Sequence, residues 1–411
     1  LHKEYRRQRQ MCIRDSMSVQ QLFKGIAVVI DDEVKDVNST IVNIITEIKR
    51  DGGHTIEFDS LPSPDTDLEN FYGAAFFIMD WQLHESIPGV VVPPMLKREQ
   101  TLQKVNFLKR LAKHRHAPVF IFTAEELGEV RSALAEHDDL FVVDQPSHIF
   151  IKNKKDVLDK GVYSVLNDWA RENPSALVLR TWEQEYQRAK NAVFSDFYSK
   201  SVHWPTLLWQ TFEADDIPPA VELGRVIERL VSSRMAPLNV NLKDAVDVLE
   251  SQEAHDKASY KGALMAVLEG ERFIRQDGLP ATSIAPGDVF KRRGAYWLNV
   301  RPECDCIVRG GDDDVDLYCL KGTKASAKQM QGIDRERGTF HETHQQAAVF
   351  GMYNGETIVF NFKNLHIAKW SECKDYRVGR LLPPFITRVQ QRYAAYAQRP
   401  GLPRIPPSLI P

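Results

Sequence analysis

Residues 25–33 read GIAVVIDDE, an unbroken apolar run that ends directly in three acidic residues. A short run that is apolar throughout is typical of a strand buried on both faces of a parallel sheet. Four further runs of strand length follow: HTIEFD (54–59), AAFFIM (74–79), APVFIF (117–122) and HIFIK (148–152). Helical patterns lie between them, at 37–50, 100–113 and 125–137. This alternation predicts an α/β domain with a doubly wound parallel sheet over residues 17–165.

Polar residues of a few types follow the predicted strands. They are Asp31 and Asp32 after the first strand, Asp80 after the third, Thr123 after the fourth and Lys152 at the end of the fifth. Because doubly wound sheets bind ligands outside the carboxyl ends of their strands, we expect these side chains to converge on one edge. Clustered carboxylates repel one another, so we expect a hard divalent cation between them, and Mg²⁺ prefers such oxygen ligands.

The predicted cluster suits phosphoryl transfer to a carboxylate. Asp31 and Asp32 would hold Mg²⁺, and Asp80 would be both a ligand and the nucleophile that accepts the phosphoryl group. Lys152 would pair with Asp80 at rest and with the phosphoryl oxygens afterwards, and Thr123 would donate a hydrogen bond to them. The change of charge at Asp80 would then bias a two-state element.

The order DD, D, TA and K at the ends of successive strands resembles the receiver domain of two-component response regulators. The resemblance covers residues 24–165 and implies a phosphorelay in which a partner histidine kinase phosphorylates Asp80. It also implies that the backbone carbonyl of Gln82 completes the Mg²⁺ site. Asn153 follows Lys152 where the family usually has Pro, and the loop after Asp80 is long, so the resemblance is to a diverged receiver.

The predicted secondary structure changes twice along the rest of the chain. Residues 166–285 are rich in helical patterns and predict a helical connector or bundle. Residues 286–370 are strand-like and include Asn354-Gly355, a strong hairpin signal, so we expect a small antiparallel barrel or sheet. Residues 371–411 predict a helix followed by a Pro-rich tail. One face of that helix would carry Ile386, Val389, Tyr393 and Tyr396.

The composition and the first residues limit the partners and the cellular compartment to be expected. The net charge of −3 implies no general attraction to nucleic acid, and no apolar stretch reaches the length of a membrane span. Five cysteines without a paired framework favour the cytoplasm. Residues 1–16 include MCIRDS, which resembles translated adapter read-through at the ends of metagenomic gene models. We therefore expect a non-native leader and a native start at Met17.

The C-terminal part offers weaker signals. Three stretches, GDVF (287–290), YWLNVRPECDC (296–306) and RVGRLLPPFITRVQQRYAAYAQRPGLPRIP (377–406), resemble the C-terminal part of receiver-containing proteins of bacterial antiphage defence operons. The GD…CD arrangement resembles small barrels of the endoribonuclease toxin type. No catalytic set for RNA cleavage is evident, so binding is expected there rather than cleavage. The spacing of Cys304, Cys306 and Cys319 with His341 and His344 matches no common zinc site, which predicts buried thiols instead.

The sequence thus predicts a phosphorelay signalling protein with output through its helical and β parts, acting on a downstream protein that the sequence does not identify. Beyond receiver phosphotransfer, no enzymatic activity is expected. Two alternatives stay open: a receiver-controlled effector enzyme that cleaves nucleic acid or nucleotides, and a DNA-binding transcription regulator. The near-neutral charge and the absence of a basic helix-turn-helix pattern make nucleic acid an unexpected partner.

Overall fold

The chain divides into two compact units, Leu1–Ser195 with Leu230–Ser251, and Asp196–Arg229 with Gln252–Pro411. The computed structural model describes residues 22–71, 73–83, 93–114, 118–124, 126–136, 147–251, 261–309, 314–331 and 347–399. The expected leader, the Pro-rich tail, His341 and His344 lie outside the described residues.

The first unit contains a five-stranded sheet in which every pair of neighbouring strands is parallel. Its strands are β1 (Ile26–Ile30), β2 (His54–Phe58), β3 (Ala74–Met79), β4 (Val119–Thr123) and β5 (Ile149–Asn153). Their spatial order is β2-β1-β3-β4-β5. Three helices lie between strands: α1 (Thr40–Arg50), α2 (Pro94–His114) and α3 (Leu127–Ala135). Two more, α4 (Lys154–Lys160) and α5 (Val162–Glu172), follow β5. The predicted α/β class with a parallel sheet is confirmed.

Both faces of this sheet are covered, because successive residues of a strand point to opposite sides. Every residue of β3 is buried. Phe76 contributes to one core with apolar residues of α1 and α5, and its neighbour Phe77 contributes to a second core with apolar residues of α2 and α3. Helices on both faces leave the carboxyl ends of the strands as the edge where polar side chains can gather.

Among the residues that the structure describes, five further helices follow β5 and its two helices. They are α6 (Pro174–Lys200), α7 (Trp204–Ala214), α8 (Pro219–Ser232), α9 (Lys243–Ser251) and α10 (Lys261–Arg272). None of the helices that the structure describes combines the length and apolarity needed to cross a membrane.

The second unit contains a separate seven-stranded sheet with the order β10-β11-β9-β8-β7-β12-β6, in which all pairs are antiparallel. Its strands are β6 (Phe273–Arg275), β7 (Asp288–Arg292), β8 (Ala295–Asn299), β9 (Asp316–Lys324), β10 (Ala347–Tyr353), β11 (Glu356–Lys369) and β12 (Arg377–Leu381). Two short helices, α11 (Ala327–Gln331) and α12 (Trp370–Cys373), and the longer α13 (Phe385–Gln398) complete it. The prediction of a separate antiparallel sheet is confirmed.

Two local predictions in this unit also hold. Asn354 and Gly355 join β10 to β11 with φ angles of 52° and 71°, the left-handed conformation that a two-residue hairpin of this type needs. In α13, Ile386 and Val389 are buried, and the tyrosines that follow on the same face pack against the same core.

Candidate functional site

Three carboxylates meet at the carboxyl edge of the parallel sheet. Asp31 and Asp32 follow β1 and Asp80 follows β3, and these strands are neighbours. A carboxylate oxygen of each lies within 4.8 Å of one from the others. Asp31 is fully buried, Asp80 is 4 % exposed and Asp32 is half-buried. The predicted convergence of these residues is therefore present.

Backbone hydrogen bonds hold the two buried carboxylates in place. The Asp80 backbone N–H donates to the carbonyl oxygen of Ile30 at 2.9 Å, which extends the sheet pairing to the site. Oδ1 of Asp80 accepts the Gln82 backbone N–H at 3.0 Å, and Oδ1 of Asp31 accepts that of Glu33 at 2.9 Å. The Oδ2 atoms of both residues remain for other partners.

The lysine at the site is Lys154, not the predicted Lys152. Nζ of Lys154 lies 2.7 Å from Oδ2 of Asp31 and 2.8 Å from Oδ2 of Asp80, and the lysine is 6 % exposed. The ammonium of Lys152 instead lies over the ring of Phe150, 5.3 Å from its centroid. Lys154 thus holds the position beside Asp80 that the sequence analysis gave to Lys152.

The two-residue period of a strand explains the difference. Ile149 and Ile151 pack into the core on one face of the sheet, which sends Phe150 and Lys152 to the other face. The strand runs one residue further than predicted, to Asn153, whose side chain accepts the Lys155 N–H and caps α4. Lys154 is therefore the first residue beyond the strand, where side chains reach the edge rather than a face.

Burial and mutual proximity shift the ionisation of the cluster. Burial raises the pKa of Asp31 above its ordinary value, and the Asp80 carboxylate adds to that effect. Burial and the neighbouring Asp31 likewise raise the pKa of Asp32. Burial alone would lower the pKa of Lys154, but the carboxylates of Asp80 and Asp31 outweigh it and raise that pKa. The ammonium is therefore held charged between the two acids.

Two other predicted residues are placed as follows. Thr123 ends β4 and is fully buried at the same edge, next to Asn153 in the sheet register. Gln82 contributes its backbone N–H to Asp80, whereas the predicted role of its carbonyl concerns a bound metal and stays a prediction.

Lys104 also stabilises the site, although the sequence did not predict it. This buried residue of α2 donates a hydrogen bond to the carbonyl oxygen of Trp81, and its ammonium lies 5.2 Å from the Trp81 ring centroid. It therefore fixes the segment immediately after Asp80. A signal was present in the sequence, because Lys104 shares the helical stripe of Leu108 and Leu111, where a core residue is expected.

The donor set fits a hard divalent cation. Within the described residues this is the one group of three or more candidate ligand side chains, and all three are carboxylates, as Mg²⁺ prefers. Asp32 makes no ion pair with Lys154, whereas the other two acids do, so a bound cation would share Asp31 and Asp80 with that ammonium.

The cysteines of the second unit form no comparable group among the residues described. Cys306 and Cys319 are buried, as the sequence predicted, whereas Cys304 is exposed and the prediction of a buried thiol is wrong for it. Burial raises the pKa of the Cys306 thiol to about 11 and that of Cys319 further. These thiols therefore stay protonated at neutral pH.

Their protection gives a direct expectation for thiol labelling. With iodoacetamide at pH 8, we expect Cys306 and Cys319 in the native chain to react at least about a hundredfold more slowly than Cys304, because only the thiolate attacks. Peptide mass spectrometry at successive times would measure the three rates, and unfolding in urea should equalise them. Equal rates in the native chain would show that the thiols are accessible.

The chain matches no known protein-family model, no curated protein and no solved structure.

Proposed function

We propose that the first unit is a phosphoaccepting, receiver-like signalling module in which Asp80 takes a phosphoryl group. The observation that carries this proposal is the arrangement around Asp80: a nearly buried carboxylate with two neighbouring carboxylates and the Lys154 ammonium 2.8 Å away. A structural ion pair needs one acid, and this edge holds three.

The chain's own residues supply positioning for the reaction. The Gln82 N–H and Lys154 orient the Asp80 carboxylate, whose oxygens each keep a lone pair for attack. An Asp80 oxygen forms the new bond to phosphorus, and the bond between phosphorus and the donor atom breaks. That atom is the imidazole nitrogen of a phosphohistidine or the carboxyl oxygen of acetyl phosphate, and it leaves with the electron pair. Mg²⁺, when bound, would neutralise the phosphoryl oxygens during this transfer.

Lys154 and Thr123 would bind the product. Lys154 already lies at Asp80, so its ammonium can pair with phosphoryl oxygens without a large movement. Thr123, at the end of the strand next to β3, would donate its hydroxyl hydrogen to them. This assigns to Lys154 the role that the sequence analysis gave to Lys152.

A partner histidine kinase would supply the phosphoryl group, and the output would pass through the remaining helices and the antiparallel sheet to a downstream protein. The added charge would act on a buried, tightly packed edge, where a local change can bias a two-state element. A role in antiphage defence belongs to the same proposal and rests on the sequence resemblance alone.

The test is the intact mass of the full chain after incubation with acetyl phosphate and Mg²⁺. We expect a gain of one phosphoryl group, because acetyl phosphate can replace a kinase as the donor. Asp80→Asn should show no gain, since its amide is not a nucleophile. Asp375→Asn, an exposed acid of the second unit, is the matched control and should gain the group normally.

Omitting Mg²⁺ and adding EDTA should also abolish the gain. If the chain shows no gain under any of these conditions, or if Asp80→Asn gains the group as the wild type does, the proposal is wrong and the edge is a structural ion cluster.

A further inference from the structure

The sheet of the second unit carries a cleft of about 420 Å³ on one of its faces. Phe290, Cys319 and Ala368, from three different strands, contribute to its lining. The segment that follows β11 contributes Glu372 and Tyr376 at another side. The volume is in the range of sites that hold a small organic molecule.

Aromatic side chains line the cleft. Trp297 of β8 is partly buried in the cleft, and Tyr376 is 43 % exposed. The imidazole of His366 lies 5.5 Å from the Trp297 ring, centroid to centroid. The Lys321 ammonium lies 5.8 Å from the Trp297 ring centroid, so a planar aromatic ligand would stack on the opposite face of that ring.

Cations surround these rings. Arg292, Arg293 and Lys321 are exposed and line the cleft, against a single carboxylate, Glu372. Within the described part of the chain none of the three cations forms an ion pair. The guanidinium of Arg292 lies 5.1 Å from the Tyr376 ring centroid, and stacking in this way leaves its N–H groups able to donate to an anion.

The backbone at Arg293 adds an independent observation. Arg293 and Gly294 form the turn between β7 and β8 with φ angles of 51° and 75°. The turn between β10 and β11 has nearly the same angles, but Asn354 stands at its first position. Asn tolerates the left-handed conformation and Arg does so less readily, so Arg293 is a costly choice for this turn. Its side chain at the cleft gives that choice a functional reason.

From these features we propose that the cleft binds a nucleotide unit, an aromatic base that carries a phosphate, either as a free nucleotide or as part of a single strand. The aromatic side chains would stack on the base, and Arg292, Arg293 and Lys321 would bind the phosphate. This site is separate from the carboxylate cluster and does not depend on it. It also revises the expectation that nucleic acid is not a partner.

Isothermal titration calorimetry of the full chain tests the proposal, with EDTA present so that no metal links a phosphate to Asp80. We expect AMP to bind at least about tenfold more tightly than adenosine or inorganic phosphate, because each of these lacks one recognised part. A fluorescein-labelled single-stranded RNA decamer, followed by anisotropy, distinguishes the two sources. Decamer binding at least about tenfold tighter than that of AMP would identify a strand, and weaker binding would identify a free nucleotide.

Two variants remove the recognition without disturbing the fold. The first is a double variant, Arg293→Asn with Lys321→Gln, which removes two of the three cations. Asn is the residue that stands at the corresponding position of the β10–β11 turn. Tyr376→Leu removes an exposed ring. Each change should weaken AMP or decamer binding at least about tenfold. Lys363→Gln, an exposed cation on β11 that does not line the cleft, should leave binding unchanged.

Two results would overturn the proposal. One is the absence of binding by both AMP and the decamer at millimolar concentration. The other is equal binding by the wild type, the double variant and Tyr376→Leu.

Discussion

Replacing Lys154 with Met is expected to lower the free energy of unfolding of the first unit by about 3–5 kcal/mol without Mg²⁺. The substitution keeps an unbranched side chain of similar length but removes the only charge that lies within 3 Å of both Asp31 and Asp80 among the described residues. Two buried carboxylates would then face each other without compensation. Such an arrangement costs far more than the loss of a surface ion pair.

Lys152→Met is the matched control, since it is the same change two residues away. Its ammonium lies over the Phe150 ring and makes no contact with the acids, so the expected loss is within about 0.5 kcal/mol. Calorimetric unfolding of both variants would compare their stabilities. Hydrogen exchange of β3 and β4 would assign the change to the first unit. Equal losses in the two variants would contradict the assignment of Lys154.

The pH dependence of the Lys154→Met variant should carry a specific sign. In the wild type the raised pKa of Lys154 gives a stabilisation that is complete below the ordinary lysine value and is lost only at more alkaline pH. Burial and the neighbouring Asp80 carboxylate raise the pKa of Asp31, and loss of the ammonium removes the main interaction that opposes them, so Asp31 binds a proton more readily in the folded state than in the unfolded state. The variant should therefore regain stability as the pH falls from 8 toward 5.

Mg²⁺ should also restore part of the lost stability in this variant. A cation that binds the folded state and not the unfolded state stabilises it by mass action. The stabilisation by Mg²⁺ should be larger in Lys154→Met than in the wild type, because in the variant no ammonium competes with the metal for Asp31 and Asp80. No stabilisation by Mg²⁺ in either protein would argue against the proposed metal site.

Asp31, Asp80 and Thr123 could be placed from the sequence because the rule that places them is insensitive to small errors. Each directly follows or ends an apolar run, and all strands of a parallel sheet end at the same edge in the same direction. An error of one residue in a strand boundary leaves such a residue near the edge. The positions of Asp31, Asp32 and Asp80 directly after apolar runs were therefore sufficient to predict that they converge.

The lysine could not be placed in this way, because the segment offers Lys152, Lys154 and Lys155 within four positions. A one-residue error in the predicted end of the strand decides whether a given lysine side chain is placed on a face of the sheet or at its carboxyl edge. The deciding feature is local: Asn153 ends the strand and caps α4, as Asn often does before a helix. Reading Asn153 as a cap, rather than as a departure from the family pattern, would have indicated Lys154.

In the second unit, the role of the Gly287-Asp288 pair could not be predicted from the sequence, because it depends on contacts with residues far along the chain. Gly287 has a φ of 93°, and a Cβ there would lie 2.1 Å from the Leu381 carbonyl oxygen. Asp288 beside it is fully buried, and its charged partners come from a strand about 90 residues later, which no local pattern links to it. The pair thus has an architectural role, independent of the toxin-barrel resemblance.

Replacing Asp288 with Ala is accordingly expected to destabilise the second unit by about 3–5 kcal/mol. Oδ1 of Asp288 accepts a hydrogen bond from Nε of Arg380 at 2.7 Å and lies 3.6 Å from Nη1 of Arg377. Its Oδ2 accepts the Ala285 N–H at 3.0 Å. Arg377 has no exposed side-chain surface, so loss of the carboxylate would leave a buried guanidinium without its counter-charge.

The remaining partners of Arg377 do not remove this cost. Its N–H groups donate to the backbone carbonyls of Pro280 and Ser283 and to the Gln276 side chain, which are all uncharged. Burial already lowers the pKa of Arg377, and Asp288 is the charge that opposes that shift. Without Asp288, two cations would lie close together at a largely buried site, and repulsion between Arg377 and Arg380 would add to the desolvation cost.

Hydrogen exchange of β7 and β12 in the full chain measures the effect where it arises. A loss of 3–5 kcal/mol corresponds to a fall in protection of roughly two to four orders of magnitude if exchange follows global opening of the unit. Asp375→Asn, an exposed acid of the same unit, should leave protection within about threefold of the wild type. If Asp288→Ala retained wild-type protection, the two arginines would have to be satisfied by their carbonyl partners alone, and the buried carboxylate would need a role other than stability.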